Sequence, residues 1–497
     1  MSMTPSCCSG RLSFAPALLV LVALFGCADD PKSTESTEVD GGGDGSDGGD
    51  GGDGGEETDF PTTSCADHGD PCVEVVAGDV EGLFEAANLL EDGMTIVLGA
   101  GEWQLDNQIT FRNADQLSLY GQGMDLTILD FGLEEVQTNG IDVISDDFLV
   151  QDLTVLDAKK DGVRVEDSDG VVMRRVRAAW TVPESAENGA YGLYPVKSTR
   201  VLIEECEAHN ASDAGIYVGQ TIQTIVRNNL ATGNVAGIEI ENTQFADVHG
   251  NTATGNTGGL LIFDLPGNPI VGRDIWVHDN VVTDNNAPNF APGGTVASIP
   301  SGTGTILLAS RRVVIENNTY ANNDSSDIAI ISGLAIEGNP DTWMLSRDEL
   351  VGSIEGVTLP GDESSVYNFL TRNVVVKGNT HSGSGSAPDM ASVEDREIGF
   401  LLGMLYLGDR VDDVLYDAIG ESAYSNTDAS GNSNDNMVCV GGNDGGSFAS
   451  LDLETLAGRM RAGDFPNPSD LFRPAAPYAP FDCTALEGGD IPAVTLD

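Results

Sequence analysis

The chain has 497 residues, 40% of them hydrophobic, and a formal net charge of −56. A field of that sign repels polyphosphate, which argues against nucleic acid as a partner, and it disfavours a naked polyuronate unless divalent cations bridge the two. The length would allow two or three ordinary domains, but an internally repeating chain needs no such division.

At the N-terminus, Arg11 precedes an apolar run from Phe14 to Phe25 that ends in Leu24-Phe25-Gly26-Cys27. That is the shape of a secretory signal whose cleavage leaves Cys27 first. It resembles a bacterial lipoprotein signal, which implies lipidation of Cys27 and export to the outer membrane or cell surface, with the periplasmic side as the alternative. The run is too short to cross a bilayer as a helix, so the expected anchor is lipid alone. Residues 27–64 then read as a tether, because Gly41 to Gly55 holds ten Gly, four Asp and one Ser. Such a stretch cannot bury a core and should reach roughly 35 Å as a flexible chain. Residues 60–497 alone still carry −46.

Cysteine usage suits an oxidising compartment. Cys7 and Cys8 leave with the signal. Cys65 lies close to Cys72 and could staple the N-terminal end, while Cys439 and Cys483 could clasp the C-terminal segment; the sequence alone does not fix the connectivity.

From Asp79 to Phe131 the chain reads as the start of a solenoid. Gly82 to Leu90 has helical apolar spacing, and a helix there would cover the open end of the first coil, which otherwise exposes core and strand edge. Apolar alternation then marks strands at Ile141-Asp142-Val143, Gly162-Val163-Arg164-Val165 and Gly192-Leu193-Tyr194.

The middle of the chain repeats outright. Five phrases share one spelling: Val226-Arg227-Asn228-Asn229, Val248-His249-Gly250-Asn251, Val277-His278-Asp279-Asn280, Ile315-Glu316-Asn317-Asn318 and Val376-Lys377-Gly378-Asn379. Between them recur Gly215-Ile216-Tyr217-Val218, Gly237-Ile238-Glu239-Ile240 and Gly259-Leu260-Leu261-Ile262, stepping by 22 residues. A fixed step of short strands without a helical stripe predicts an all-β fold, a right-handed parallel β-helix of roughly ten coils over residues 65–385. Ile216, Ile238 and Leu260 should form one inward ladder, and Val226, Val248 and Val277 another. The final Asn of each phrase is assigned to a tight left-handed corner, with stacked amides bonding along the axis. Followed backwards, that register reaches Cys206, expected as a buried thiol. Three excursions break the period, at Trp180 to Ala190, Pro266 to Thr303 and Gly333 to Tyr367, and function in solenoids tends to sit near such insertions. Residues 386–497 lose the repeat and read as an irregular cap.

The phrases Gly189 to Val196, Ser212 to Gly219, Ala236 to Asn242 and Gly258 to Gly267 resemble a group of bacterial secreted parallel β-helix-repeat proteins in the pectate-lyase-like superfamily. That superfamily includes polysaccharide lyases, alginate C5-epimerases and periplasmic copper-maturation proteins of the NosD type. The resemblance covers about residues 75 to 385 and implies the fold; it says little about reaction, because the Asp-Pro-His motif of the epimerases is absent here.

Alternation then offers two outward faces. On one, Arg164, Tyr194, Tyr217, Glu239 and Leu261 form a row beside Glu166, Glu241 and Phe263, a plausible sugar groove. There Glu239 and Glu241 are the candidate acid and base, with Tyr217 or Tyr194 assisting proton transfer and Arg164 in support. Tyr191, Asp213, Phe263 and Asp264 are candidate substrate contacts. The other face carries Arg174, Glu204, Arg227, His249, His278 and Glu316, where His249 and His278 could share a metal with Asp247 or Asp279. No cofactor is firmly implied, calcium being the candidate, and the chain is expected to be monomeric. The expectation is a lipid-anchored protein that binds an extracellular polysaccharide, either without turnover or modifying it as a lyase, epimerase or hydrolase. Its competitors are a structural or adhesive rod and a periplasmic metal-handling module.

Overall fold

The computed structural model describes residues 63–268, 270–346, 365–390, 397–421, 433–451, 453 and 477–496. The expected signal peptide, Cys27 and nearly all of the Gly/Asp-rich tether lie outside the described residues. The rest is a right-handed parallel β-helix. One wall is an eleven-stranded sheet that runs from Ile109–Phe111 to Phe448–Ser450, and the other two form a continuous twenty-stranded sheet. These two are joined because the early strands Phe148–Leu156 and Asp169–Ala179 run unbroken around the corner between them.

The register is the one the repeat dictates. Ile216 pairs with Ile238 and Ile238 with Leu260; Val226 pairs with Val248 and Val248 with Val277. All six are 0–1% exposed, so one apolar core fills the tube from end to end. The Gly of the second phrase has a steric cause. A side-chain carbon on Gly192 would fall 2.4 Å from the carbonyl oxygen of Gly215, and one on Gly237 would fall 2.6 Å from that of Gly259. Only hydrogen fits where successive coils approach that closely.

The Asn ladder is present, but its cause differs from expectation. Asn251 accepts hydrogen bonds through Oδ1 from the backbone N–H (3.0 Å) and the Nδ2 (2.9 Å) of Asn229, and its own Nδ2 donates to Val226 O and Asn280 Oδ1. The left-handed corner residue is the one before it: Asn228, Gly250, Asp279, Asn317 and Gly378 have φ of 56°, 65°, 54°, 57° and 64°. The ladder Asn is therefore selected for its inward amide, which satisfies backbone groups that the corner leaves without a sheet partner. Cys206 takes this position on the preceding coil as a buried thiol, and its N–H donates to Asn229 Oδ1. A second buried ladder, Asn234, Asn256, Asn285 and Asn323, does the same at the next corner.

The coils do not stop at residue 385. Val438–Gly441 adds to the twenty-stranded sheet, Val414–Tyr416 and Phe448–Ser450 add to the other, and Asn443 continues the amide ladder from Asn379. The phrase Val440-Gly441-Gly442-Asn443 carries the repeat there, 64 residues after Asn379. At the N-terminal end the helix α1 (Val80–Asn88) starts at Asp79, whose side chain accepts from Gly82 N, and buries Leu83, Ala86 and Ala87 against the core. The helix α2 (Glu397–Tyr406) packs Leu402, Leu405 and Tyr406 on Leu415 and Ala449. Cys65 is bonded to Cys72, and Cys439 to Cys483. No helix among the described residues is long and apolar enough to cross a membrane.

Candidate functional site

The outward row on the eleven-stranded wall has the expected register. Arg164 pairs with Tyr194, Tyr217 with Glu239, and Glu239 with Leu261, while Glu241 stands between Gly219 and Phe263. Its exposure does not follow. Tyr217, Glu239, Glu241, Leu261 and Phe263 are all 7% exposed or less. The excursions after Pro266 and Gly333 fold over this wall: Phe290, Val296, Ile299 and Trp343 pack with Tyr217, Leu261 and Phe263 in a second apolar cluster. Phe263 is thus a packing residue and not an open platform for a sugar. Asp264 is also sealed, its Oδ2 accepting from Gly272 N and Asn368 Nδ2.

What remains accessible is narrower than a groove. Tyr191, Tyr194, Asp213 and Asn268 are half-buried and surround a buried floor of Tyr217, Glu239 and Glu241. The three phenol rings form one packed triad, with centroids 4.6 Å apart for Tyr191–Tyr194 and Tyr191–Tyr217 and 4.9 Å for Tyr194–Tyr217. Gly219 permits this, since a side-chain carbon there would sit 2.3 Å from the Tyr217 ring. Asn268 donates to Glu241 Oε1 at 2.7 Å and is itself held by Gln220. Arg164 is spoken for by Asp142 (3.2 Å) and Glu166, so it contributes no free cation to the floor.

Electrostatics at this spot are unusual for an acidic protein. Burial pushes the Asp213 carboxyl up to about 7, with Glu241 and Asp161 adding like charge. Burial raises Glu239 well above the ordinary carboxyl range, helped by Asp213 and Glu241, and raises Glu241 against the opposing hydrogen bonds of Tyr217 and Asn268. Asp161, on the neighbouring coil, is pushed up to about 6 by burial. Glu239 and Glu241 lie two residues apart on the strand Ala236–Glu241, so both carboxyls are on one face and each raises the cost of charging the other. Two carboxyls this strongly linked titrate as a pair, so the expected division into a separate acid and base is not supported by separate values for the two. The tyrosines are poor proton shuttles: burial pushes Tyr194 up to about 12 and raises Tyr191 and Tyr217 further. They keep their protons and serve as donors and walls. Glu239 Oε2 is buried without a hydrogen-bond partner.

On the opposite wall, His249 pairs with His278 and the rings stack at 4.8 Å. Asp247, and not Asp279, lies between them. Elsewhere in the row the charges neutralise one another, Glu204 accepting from Arg174 and Arg227, and Glu316 from Lys377. Sequence reasoning missed one further cluster, in which fully buried His381 bonds Asp327 at 2.9 Å close to Asp413. Its members come from unequal spacings, and no repeated phrase marks them.

A family comparison agrees with the architecture over part of the chain. The family described as "Right handed beta helix region" matches residues 116–275. No curated protein matches the sequence. Among solved structures, the A-module of the mannuronan C-5 epimerase AlgE4 from Azotobacter vinelandii is 17% identical over 79% of this chain and 95% of its own, with a TM-score of 0.44. Pectate lyase Pel9A is 15% identical over 65% of this chain and 71% of its own, TM-score 0.34. The catalytic unit of an α-1,3-glucanase from Streptomyces thermodiastaticus is 14% identical over 77% and 54%, TM-score 0.36.

Proposed function

We propose that this protein is an exported, lipid-anchored β-helix that binds an extracellular polysaccharide at the tyrosine-rimmed carboxyl cluster and cleaves it by acid–base chemistry. One observation carries the reading: Glu239 keeps an unpartnered oxygen in a buried floor of carboxyls beneath three tyrosines. Such an atom is a cost to the fold, and the burial that leaves it without a partner is also what keeps the carboxyl protonated at neutral pH.

The Glu239/Glu241 pair is suited to protonate a leaving oxygen, because a desolvated carboxyl stays protonated where an exposed one does not. Asp213, pushed up to about 7, is suited to accept a proton from water. Tyr191, Tyr194 and Asn268 supply flat apolar surface and donors that a sugar ring uses for orientation. The net charge, with Arg164 already paired to Asp142 and Glu166, favours an uncharged glycan over a uronate, since elimination or epimerisation at a uronate needs its carboxylate neutralised. Hydrolysis is accordingly the reaction class favoured among the three.

The test is incubation of the mature protein with a panel of neutral and acidic polysaccharides, reading new reducing ends. A neutral glycan should be cut by the wild type and not by Asp213→Asn. Cleavage that persists in that variant, or activity confined to polyuronates, overturns the reading.

A further inference from the structure

We propose that Asp247, His249 and His278 form a site for one divalent transition ion of the zinc type, on the twenty-stranded sheet and away from the tyrosine-rimmed cluster. Asp247 and His249 lie two residues apart on the strand Gln244–His249, so both point to the same side, and His278 stands in register with His249 on the strand Arg273–His278. Rigid backbone therefore places all three, with no loop involved. Asp247 Oδ1 is 2.8 Å from His249 Nδ1 and 3.0 Å from His278 Nε2, and the three donor atoms lie within 4.8 Å of one another. Ligand bonds of about 2.0–2.2 Å in tetrahedral geometry require donors roughly 3.3 Å apart, so the triangle has the right size once the two imidazoles, stacked within 13° of parallel, rotate to aim their nitrogens at one ion.

The surroundings are arranged as for a ligand set. The far nitrogen of His278, Nδ1, bonds Asp279 Oδ2 at 2.7 Å, which directs Nε2 at the centre, the carboxylate–histidine pairing that orients metal-binding imidazoles. Trp276 stacks on His278 at 3.8 Å and is itself pinned by Nε1 donating to Glu316 Oε1 at 2.8 Å. Arg227, next along the row, is turned to Glu204 at 2.8 Å and does not oppose a cation here. The side chains of Asp247, His249 and His278 are 16%, 26% and 12% exposed, which leaves room for water to complete the shell. Ion binding would replace the two histidine–Asp247 hydrogen bonds, since each of those nitrogens must then offer its lone pair to the ion. Two nitrogens and one carboxylate select zinc, copper or nickel over calcium and magnesium.

The experiment uses the mature protein without a histidine tag, titrated with Zn2+ and separately with Ca2+ near neutral pH, with circular dichroism confirming that each variant is folded. One Zn2+ should bind per chain. His278→Ala and the milder His278→Gln should each weaken it by about 100-fold or more, and Asp279→Asn by about 10–100-fold, the range for loss of an outer partner. His209→Ala, which removes a histidine bonded to Glu207 on a neighbouring ladder, should leave binding unchanged. Absence of saturable Zn2+ binding, equal affinity in a His249→Ala/His278→Ala double variant, or Ca2+ binding as tight as Zn2+ overturns the proposal.

Discussion

Two sets of buried polar groups occupy the same coils and are treated in opposite ways. At the corners, Asn229, Asn251, Asn280, Asn318 and Asn379 place every amide in a closed chain of hydrogen bonds. On the eleven-stranded wall of these coils, buried Glu239 and half-buried Asp213 sit among like charges, and one Glu239 oxygen has no partner. A fully satisfied polar network stabilises and fixes register, while a partly satisfied one is a standing cost. Since the chain can clearly build the first kind, the second reads as retained for what it does.

The largest effect should come from breaking the satisfied set. Asn251→Ala removes the acceptor for two donors of Asn229 and strands them in the core, so it should lower the unfolding free energy by about 2–4 kcal/mol, measured by urea denaturation. A loss under about 0.5 kcal/mol would mean that the ladder is ornamental.

The unsatisfied set should show in the pH profile. Asp213 and Asp264 titrate at 3.8 when unfolded and near 7 when folded, so between those values the native state holds more protons than the unfolded chain. Stability therefore falls as pH rises through that window. Carboxyls with depressed values, such as Glu207 at about 2, lose their contribution only below their unfolded value of 4.5. The melting temperature should consequently peak in mildly acidic solution, and Asp213→Asn should flatten the decline toward neutrality. A profile that rises steadily from pH about 4 to 8 would contradict the assignment.

Much of this fold was legible because stacking turns spelling into geometry. Once Ile216, Ile238 and Leu260 recur at a fixed step, their contacts follow, and so does the row Arg164, Tyr194, Tyr217 and Glu239. Alternation reports which way a side chain points, not what lies above it. The packing of Ile299 and Trp343 over Tyr217 and Leu261 depends on excursions outside the repeat, so burial of the acidic row could not be read from it. The corner was misassigned by one residue because Asn suits both a left-handed backbone and an inward amide; Gly250 and Gly378, one place earlier, carried the distinguishing signal. The second amide ladder was also within reach, since Asn234 and Asn256 each precede a phrase glycine by three residues. Val440-Gly441-Gly442-Asn443 repeats the five-fold phrase and marked the coils beyond residue 385.

The central claim is that Glu239 is kept for chemistry at the expense of stability, and Glu239→Gln tests it most directly because it preserves shape while removing the ionisable proton. The account predicts a variant more stable than wild type by about 1 kcal/mol above neutral pH and unable to cleave a glycan that the wild type cleaves. A variant that is less stable and equally active would contradict it.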